Sequence, residues 1–139
     1  DRLRFIDVVD DLAFAVMDLH AHGRPDFAHR LLDGWLEVTG DHAGLPALRH
    51  ALVYRAAVRA MVSSLEGLAD DTARYAGLAL ALAQRRDARL LVLHGLPGSG
   101  KSTVARALVE SAGAVRLRSD VERKRLVGLA AQADSRAAG

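Results

Sequence analysis

The sequence predicts two unlike parts in one chain, an all-α segment over residues 1–88 and the first half of an α/β domain over residues 89–139. One observation is that apolar residues recur at helical spacing through the first part, whereas residues 90–93 form a continuous apolar run. Another is that this run leads into a glycine-rich loop and then a new helical pattern, the order of a strand, a turn and a crossover helix. Because no Gly/Ser/Pro linker lies near Asp87, we expect the two parts to pack directly together.

Four helices are predicted in the first part. Gly23 and Pro25 separate the first helix from the second, and Gly40 ends the second. Pro46 stands in the first turn of the third helix, where proline is favoured. The predicted helices cover residues 6–20, 25–38, 45–65 and 70–86. The apolar side of the first helix is predicted as Val8, Leu12, Ala15 and Leu19 with Val9 and Val16, and that of the fourth as Ala73, Ala76, Leu80 and Ala83.

The first part offers few candidates for a functional site. Arg55 and Arg59 stand one turn apart in the third helix, where they could form an anion clamp or pair with acidic residues of the first helix. The sequence leaves both interpretations open. His20 and His22 lie close together, but neither has a carboxylate at a recurring ligand spacing, so a histidine metal site is not indicated.

Two parallel strands joined by a crossover helix are predicted in the second part. The first strand covers residues 89–93, and the helix after the loop runs to about residue 111, with Gly113 as its stop. Residues 114–117 form the second strand, parallel to the first through a right-handed crossover. A further helix is predicted over residues 119–129.

The loop between the first strand and its helix has the spacing G-x-x-x-x-G-K-[ST]. Glycines in it permit positive φ and a close backbone approach, so that successive N–H groups point inward at an anion. The helix beginning near Gly100 aims its free N–H groups and the positive end of its dipole at the same point. These features are typical of a phosphate-binding loop, and they predict half of an α/β P-loop NTPase domain.

The loop residues are assigned to MgATP. Lys101 would reach the β- and γ-phosphates, and the Ser102 hydroxyl would occupy one ligand position of Mg²⁺. A glycine-rich turn could meet this spacing by chance in roughly one chain of this length in a few hundred, and the strand and helix around it make chance a weaker explanation. The residues predicted to bind the nucleotide are Gly95, Gly98, Ser99, Gly100, Lys101, Ser102 and Thr103.

Asp120 and Arg123 follow the second predicted strand, at the sheet edge where ligands of parallel sheets bind. Asp120 could act as general base for a substrate hydroxyl, and Arg123, one turn on, could hold an anionic group or the transferring phosphoryl. Alternatively, Ser119 and Glu122 form a capping box and Asp120 only favours the first turn of a helix. With Lys101, Asp120 and Arg123 are the predicted catalytic residues.

Composition narrows the class of protein. The 139 residues are about half apolar, carry a formal net charge of +2 and include no cysteine. Basic and acidic residues are interleaved, so no continuous basic stripe indicates nucleic-acid binding. The apolar runs are short, and no charged-then-apolar leader opens the chain. We therefore expect a globular cytoplasmic protein with neither nucleic acid nor membrane as a partner.

The second part is too short for a whole nucleotide-binding domain. A doubly wound domain needs about five parallel strands, one of them ending in an Asp that helps to hold Mg²⁺. The stretch after Arg89 has room for two strands, neither of which ends in that way, and the sequence opens without methionine. We expect an internal fragment of a longer protein, and the sequence identifies neither its acceptor nor its oligomeric state.

The chain resembles bacterial proteins in which an aminoglycoside-phosphotransferase-like domain is fused to a P-loop kinase domain. In the first part the resemblance lies in residues 4–14 (RFIDVVDDLAF), 17–19 (MDL) and 54–60 (YRAAVRA). In the second part, residues 95–102 (GLPGSGKS) and 118–126 (RSDVERKRL) are similar to AAA-family, gluconate-kinase-like and zeta-toxin-like kinases. In such kinases the aspartate at the position of Asp120 helps to activate the acceptor.

These observations predict an ATP-dependent kinase that transfers the γ-phosphoryl group to a small hydroxyl-bearing substrate. Two alternatives remain open. One is an ATPase that uses hydrolysis as a switch and has no acceptor, in which Asp120 only caps a helix. The other is a non-catalytic helical interaction module that carries a vestigial loop, whose thermal stability MgATP would leave unchanged.

Overall fold

A computed structural model describes residues 7–84 and 89–130. Six α-helices account for most of these residues, and all of them lie close to the positions that the sequence predicts. The helices are Val8–Ala21 (α1), Pro25–Thr39 (α2), Leu45–Leu65 (α3), Ala69–Ala83 (α4), Lys101–Ala112 (α5) and Ser119–Leu126 (α6), with a short 3-10 helix at His42–Gly44 between α2 and α3.

Local sequence explains where the helices begin and end. The Asp7 side chain caps α1 by accepting a hydrogen bond from the Val9 amide at 2.9 Å. Pro25 opens α2, where its missing N–H costs no hydrogen bond. Gly40 ends α2 and Gly113 ends α5, both in the left-handed conformation that glycine adopts without steric cost.

The core lies among α1, α3 and α4, and α2 adds to its edge. The most extensive packing is between α3 and α4, and α1 packs against both. Apolar side chains removed from water supply the main favourable free energy of such a core. The buried cluster consists of Val9, Ala13, Val16, Met17, Ala28, Leu48, Leu52, Ala56 and Tyr75.

The buried side of α1 agrees in part with the predicted one, and that of α4 differs from it. In α1 the predicted Val9 and Val16 are buried together with Ala13 and Met17, whereas the predicted Val8 is 62% exposed. In α4 the buried residue is Tyr75, whereas Leu80 is 70% exposed. Both helices carry alanine or leucine on several sides, so periodicity indicated the helix correctly but did not fix which side faces the core.

Polar contacts tie α1 to its neighbours. Arg55 of α3 donates from Nε to Asp10 at 3.0 Å and also donates from Nη2 to the same carboxylate. Of the two interpretations left open for Arg55, pairing with an acidic residue of α1 is therefore confirmed. The buried Tyr75 donates its hydroxyl to Asp18 at 3.3 Å and accepts a hydrogen bond from Arg59 at 3.5 Å. That contact raises the pKa of Arg59 above its usual value.

The predicted sheet is wrong. Among the described residues there are no strands, and neither residues 89–93 nor residues 114–117 form one. Leu90 is 91% exposed and Val92 is 76% exposed, although a strand of a parallel sheet is buried on both faces. No other described segment bonds to these residues along a ladder, and an apolar run without such neighbours gains little from an extended conformation. The described chain is all-helical, and half of an α/β P-loop NTPase domain is not observed.

Helix α5, which the sequence predicted to connect two strands, packs against the helical part instead of a sheet. Val109 of α5 is 1% exposed at the contact with α2, and Val121 of α6 is 3% exposed. The carbonyl oxygen of Glu110 accepts a hydrogen bond from His29 Nδ1 at 3.1 Å. The two parts therefore pack directly together, as the absence of a linker predicted, while the boundary near Asp87 falls among residues 85–88, outside the described residues.

Candidate functional site

The glycine-rich loop leads directly into the N-terminus of α5. Gly98 has φ of 78° and Gly100 has φ of 81°, both in the left-handed region. The Ser99 amide donates to the Leu96 carbonyl at 3.2 Å, which closes a turn. The Thr103 amide donates to the Gly100 carbonyl at 3.0 Å, which starts the helix. Free N–H groups at a helix start attract anions, and glycines with positive φ beside them are typical of loops whose amides bind the same anion.

Lys101 is folded back over this loop. Its ammonium donates to the carbonyl oxygens of Gly95 at 2.7 Å and Leu96 at 2.6 Å. It also donates to the Ser99 hydroxyl at 3.3 Å. An ammonium has three hydrogens, and all three are used here. The positive charge of Lys101 is therefore held at the mouth of the loop, and an anion entering there replaces one or more of these contacts.

Gly95 is required by close approach as well as by backbone conformation. Its φ is 152°, and a Cβ at this position would lie 3.0 Å from the Ser99 hydroxyl oxygen and 3.9 Å from Cδ of Lys101. A side chain here would therefore crowd the Ser99 hydroxyl. The donors of the loop suit a phosphate group, because ammonium, hydroxyl and amide groups all donate to phosphate oxygens.

Replacing Gly95 with alanine is expected to weaken MgATP binding while leaving the helical core intact. The new methyl group would crowd the Ser99 hydroxyl, whose oxygen would lie 3.0 Å from the added carbon, at a backbone φ that alanine rarely adopts. Gly77→Ala is the matched control, because Gly77 is exposed in α4 with open space around it and the substitution should stabilise that helix slightly. Calorimetric titration with MgATP measures the first effect, and equal affinity in the two variants would contradict it.

Ser102 and Thr103 lie exposed in the first turn of α5. Ser102 comes directly after Lys101 in the sequence. If phosphate oxygens bind at the loop, the Ser102 hydroxyl would be able to bind a cation that accompanies them. In the described residues, no three His, Cys, Asp or Glu side chains come together as a metal-binding group. The assignment of Mg²⁺ to Ser102 therefore depends on a phosphate to share it, and it stays a prediction.

Asp120 lies in the first turn of α6, where Arg118 holds it. Arg118 donates from Nη2 and Nε to the two carboxylate oxygens of Asp120 at 2.8 and 3.3 Å. Burial by itself raises the pKa of Asp120, but the hydrogen bonds and positive charge of Arg118 outweigh it, so the pKa lies below its usual value. The carboxylate is accordingly ionised at neutral pH and can accept a hydrogen bond.

The alternative capping box is not observed. The helix begins at Ser119, so this residue lies inside its first turn, and the capping position belongs to Arg118 without a side-chain hydrogen bond. Arg123 is exposed in the last turn of α6. The arginine next to Asp120 is thus Arg118 and not Arg123. Among the described residues, no hydrogen bond or ion pair joins Asp120 to the phosphate-binding loop.

Sequence reasoning missed a group of ion pairs between α2 and the segment before α6. Arg116 donates from Nη2 to Asp33 at 2.9 Å and to Glu37 at 2.6 Å. Glu37 also accepts from Arg118 Nη1 at 3.0 Å. The Arg116 side chain is 11% exposed and that of Asp33 is 12% exposed, so this contact is largely removed from water. The only signal in the sequence was two acidic residues one turn apart on α2.

A second arginine extends this contact toward the end of α2. Arg125 of α6 donates from Nη2 to the Leu36 carbonyl at 3.0 Å and also to the Glu37 carbonyl. The last turn of a helix carries the negative end of the helix dipole, so a cation there is favourable; the Leu36 carbonyl accepts the Gly40 amide as well. Arg125 also pairs with Glu122 of its own helix. The C-terminal turn of α2 is therefore capped by a side chain from the second part.

No helix in residues 7–84 or 89–130 is both long enough and apolar enough to cross a membrane.

A known family matches the second part of the chain. The family is described as an AAA domain, and it matches residues 90–138, which include the phosphate-binding loop, Asp120 and Arg123. The match supports P-loop nucleotide binding in this segment. No solved structure matches the chain.

Curated relatives match nearly the whole chain. Uncharacterized protein Rv2004c of Mycobacterium tuberculosis and uncharacterized protein Mb2027c of Mycobacterium bovis are each 37% identical to it over 132 residues. The alignment covers 91% of this chain and 26% of each relative, so the chain spans about a quarter of their length. Because it takes in both parts, the helical segment and the loop segment are joined in the relatives too. Nothing in the comparisons connects the helical part with an aminoglycoside phosphotransferase, so that half of the resemblance is not confirmed.

Proposed function

We propose that the protein binds MgATP at residues 95–103 and belongs to a kinase that phosphorylates a small hydroxyl-bearing acceptor. The observation that carries this proposal is the Lys101 ammonium, held over the loop by Gly95 and Leu96 at the start of α5. A cation, turned amides and a helix N-terminus then act on one anion. The AAA-domain match over the same residues supports a nucleotide as that anion.

The loop would act chiefly by placing and neutralising charge. In phosphoryl transfer the developing charge is spread over the phosphoryl oxygens, so catalysis is mostly positioning and electrostatic stabilisation. Lys101 would exchange its loop carbonyls for β- and γ-phosphate oxygens, and loop amides other than those of Ser99 and Thr103, which donate to carbonyls, would bind the remaining oxygens. Mg²⁺, held in part by Ser102, would neutralise the phosphates when bound.

Asp120 would orient the acceptor hydroxyl. Its carboxylate is ionised and fixed by Arg118, which suits a hydrogen-bond acceptor better than a strong base. In a loose transition state the acceptor proton leaves late, so a weak base in the right place is sufficient. Arg123, exposed on the same helix, would contact an anionic group of the acceptor or of the nucleotide. We place this activity in the cytoplasm, where ATP is abundant.

Asp120→Asn is the test of this proposal. Radiolabelled ATP, incubated with the protein and a panel of sugars, polyols and amino alcohols, should label one acceptor class. The substitution should lower that transfer by about a hundredfold, the lower end for a positioned proton acceptor, and leave MgATP affinity unchanged. ATP turnover without any acceptor, equal in both proteins, would instead favour the ATPase switch.

A further inference from the structure

Asp120 stands at the end of a series of ion pairs that begins in the helical part. Arg118 uses two edges of its guanidinium, because Nε and Nη2 face Asp120 while Nη1 donates to Glu37 at 3.0 Å. Glu37 accepts on its other oxygen from Arg116 at 2.6 Å, and Arg116 is also paired with Asp33. One guanidinium therefore joins α2 to the first turn of α6.

We infer that Glu37 is a positioning residue for Asp120 and acts through Arg118. The contacts of Arg118 with Glu37 and Asp120 do not depend on the proposed function, whereas the catalytic role of Asp120 rests on it. Glu37 lies in the helical part, 83 positions before Asp120 in the sequence. The helical part would thus complete the acceptor site of the second part and be more than a neighbouring module.

The physical reason lies in the exposure and length of Arg118. Its side chain is 38% exposed, and an exposed arginine loses most of the benefit of an ion pair to solvent competition and to the entropy of holding the side chain. Glu37 reduces that cost by fixing the far edge of the guanidinium. Glu37 is itself fixed by Arg116, which is 11% exposed and also held by Asp33. Because the guanidinium of Arg118 is rigid and planar, fixing one of its edges also fixes the edge that holds Asp120.

Glu37 can affect Asp120 in two ways that differ in sign. Its negative charge, acting directly, disfavours ionisation of Asp120, so removing that charge would lower the pKa of Asp120. Acting through Arg118, Glu37 holds a positive charge beside Asp120, so its removal would raise that pKa. The charged and titratable groups around this contact include Arg118, Glu37 and Arg116, with Glu122, Arg123 and Arg125 on the helix of Asp120 and His42 of the short 3-10 helix, whose Nε2 lies 3.7 Å from Glu122.

The experiment is a carboxyl titration by carbon-13 NMR on aspartate-labelled protein, with the Asp120 signal assigned from Asp120→Asn. Glu37→Gln keeps the shape of the side chain and removes its charge. It is measured in the natural background and again with Arg118→Gln or Arg118→Lys. Glu110→Gln is the matched control, because Glu110 also forms an ion pair across the two parts, with Arg30, but does not contact Arg118. Circular dichroism checks that each variant keeps its helices.

We expect Glu37→Gln to raise the pKa of Asp120 toward the ordinary carboxyl value in the natural background. The rise should vanish with Arg118→Gln, and Glu110→Gln should leave the signal unchanged. A fall in the pKa, or the same change with and without Arg118, would overturn the inference. The titration uses no nucleotide and no acceptor, so failure of the proposed kinase activity would not be mistaken for failure of this contact.

Discussion

Lys101→Ala is expected to weaken MgATP binding by about tenfold or more, since a charge-assisted hydrogen bond to phosphate is lost. The effect on transfer should be larger, about a thousandfold, because the same ammonium would meet charge that grows in the transition state. Its three present contacts, to Gly95, Leu96 and Ser99, show that the side chain reaches across the loop. Calorimetry gives the first value and single-turnover transfer gives the second.

Lys124→Ala provides the control for that experiment. Lys101 and Lys124 are the two lysines of the sequence, so each variant loses the same charge and side chain. Lys124 lies in α6, outside the phosphate-binding loop. Equal affinities for MgATP in the two variants would mean that the loop does not use its lysine, and the proposed function would fail at its first step. A loss confined to Lys101→Ala would assign the anion to the loop.

The helices could be predicted from sequence because the signals that fix them are local. Pro25 and Gly40 set the ends of α2, and Gly113 sets the end of α5, through conformations that belong to the residues themselves. Which side of a helix is buried depends on its neighbours. Tyr75 shows this, because its burial depends on Asp18 and Arg59, two residues from other helices that accept and donate at its hydroxyl.

The prediction of two strands was wrong because a strand depends on hydrogen-bonding partners far away in the sequence. Leu90 and Val92 have the composition of a buried strand, yet no described residue bonds beside them. The phosphate-binding loop is different, since its shape follows from glycine positions within a few residues of one another. Its spacing therefore predicted the positive φ of these glycines correctly, although the sheet expected beside the loop was wrong.

The connection of Asp120 to α2, which runs through Arg118, could not be predicted from the sequence either. Arg118 lies two residues from Asp120, so that pair could have been suggested by spacing alone. Its second partner, Glu37, is 81 positions away and is identified only when α6 docks on the end of α2. The candidate site therefore has a local half, which sequence reasoning found, and a tertiary half, which it did not.

Arg116 holds the two parts together, and Arg116→Met is expected to loosen the second part by about 3–5 kcal/mol. Arg116 lies between two carboxylates, of Asp33 at 2.9 Å and Glu37 at 2.6 Å, in a contact largely removed from water. Methionine keeps the apolar length of the side chain but leaves Asp33 without its cation and Glu37 with Arg118 alone. The cost arises from the unpaired carboxylate of Asp33 and its repulsion with Glu37, as well as from the lost attraction.

Hydrogen exchange measures this loosening where it occurs. The amides of α5 and α6 should exchange about a hundredfold to five-thousandfold faster in Arg116→Met, whereas those of α1, α3 and α4 should keep their protection, because their core does not include Arg116. Arg30→Met is the matched control: Arg30 also bridges α2 to the second part, through Glu110 at 3.5 Å, but it is 58% exposed. Such an exposed pair contributes less than about 1 kcal/mol. Equal exchange in the two variants would mean that the ion pairs of Arg116 do not hold the parts together, and that the other contacts between the parts do so.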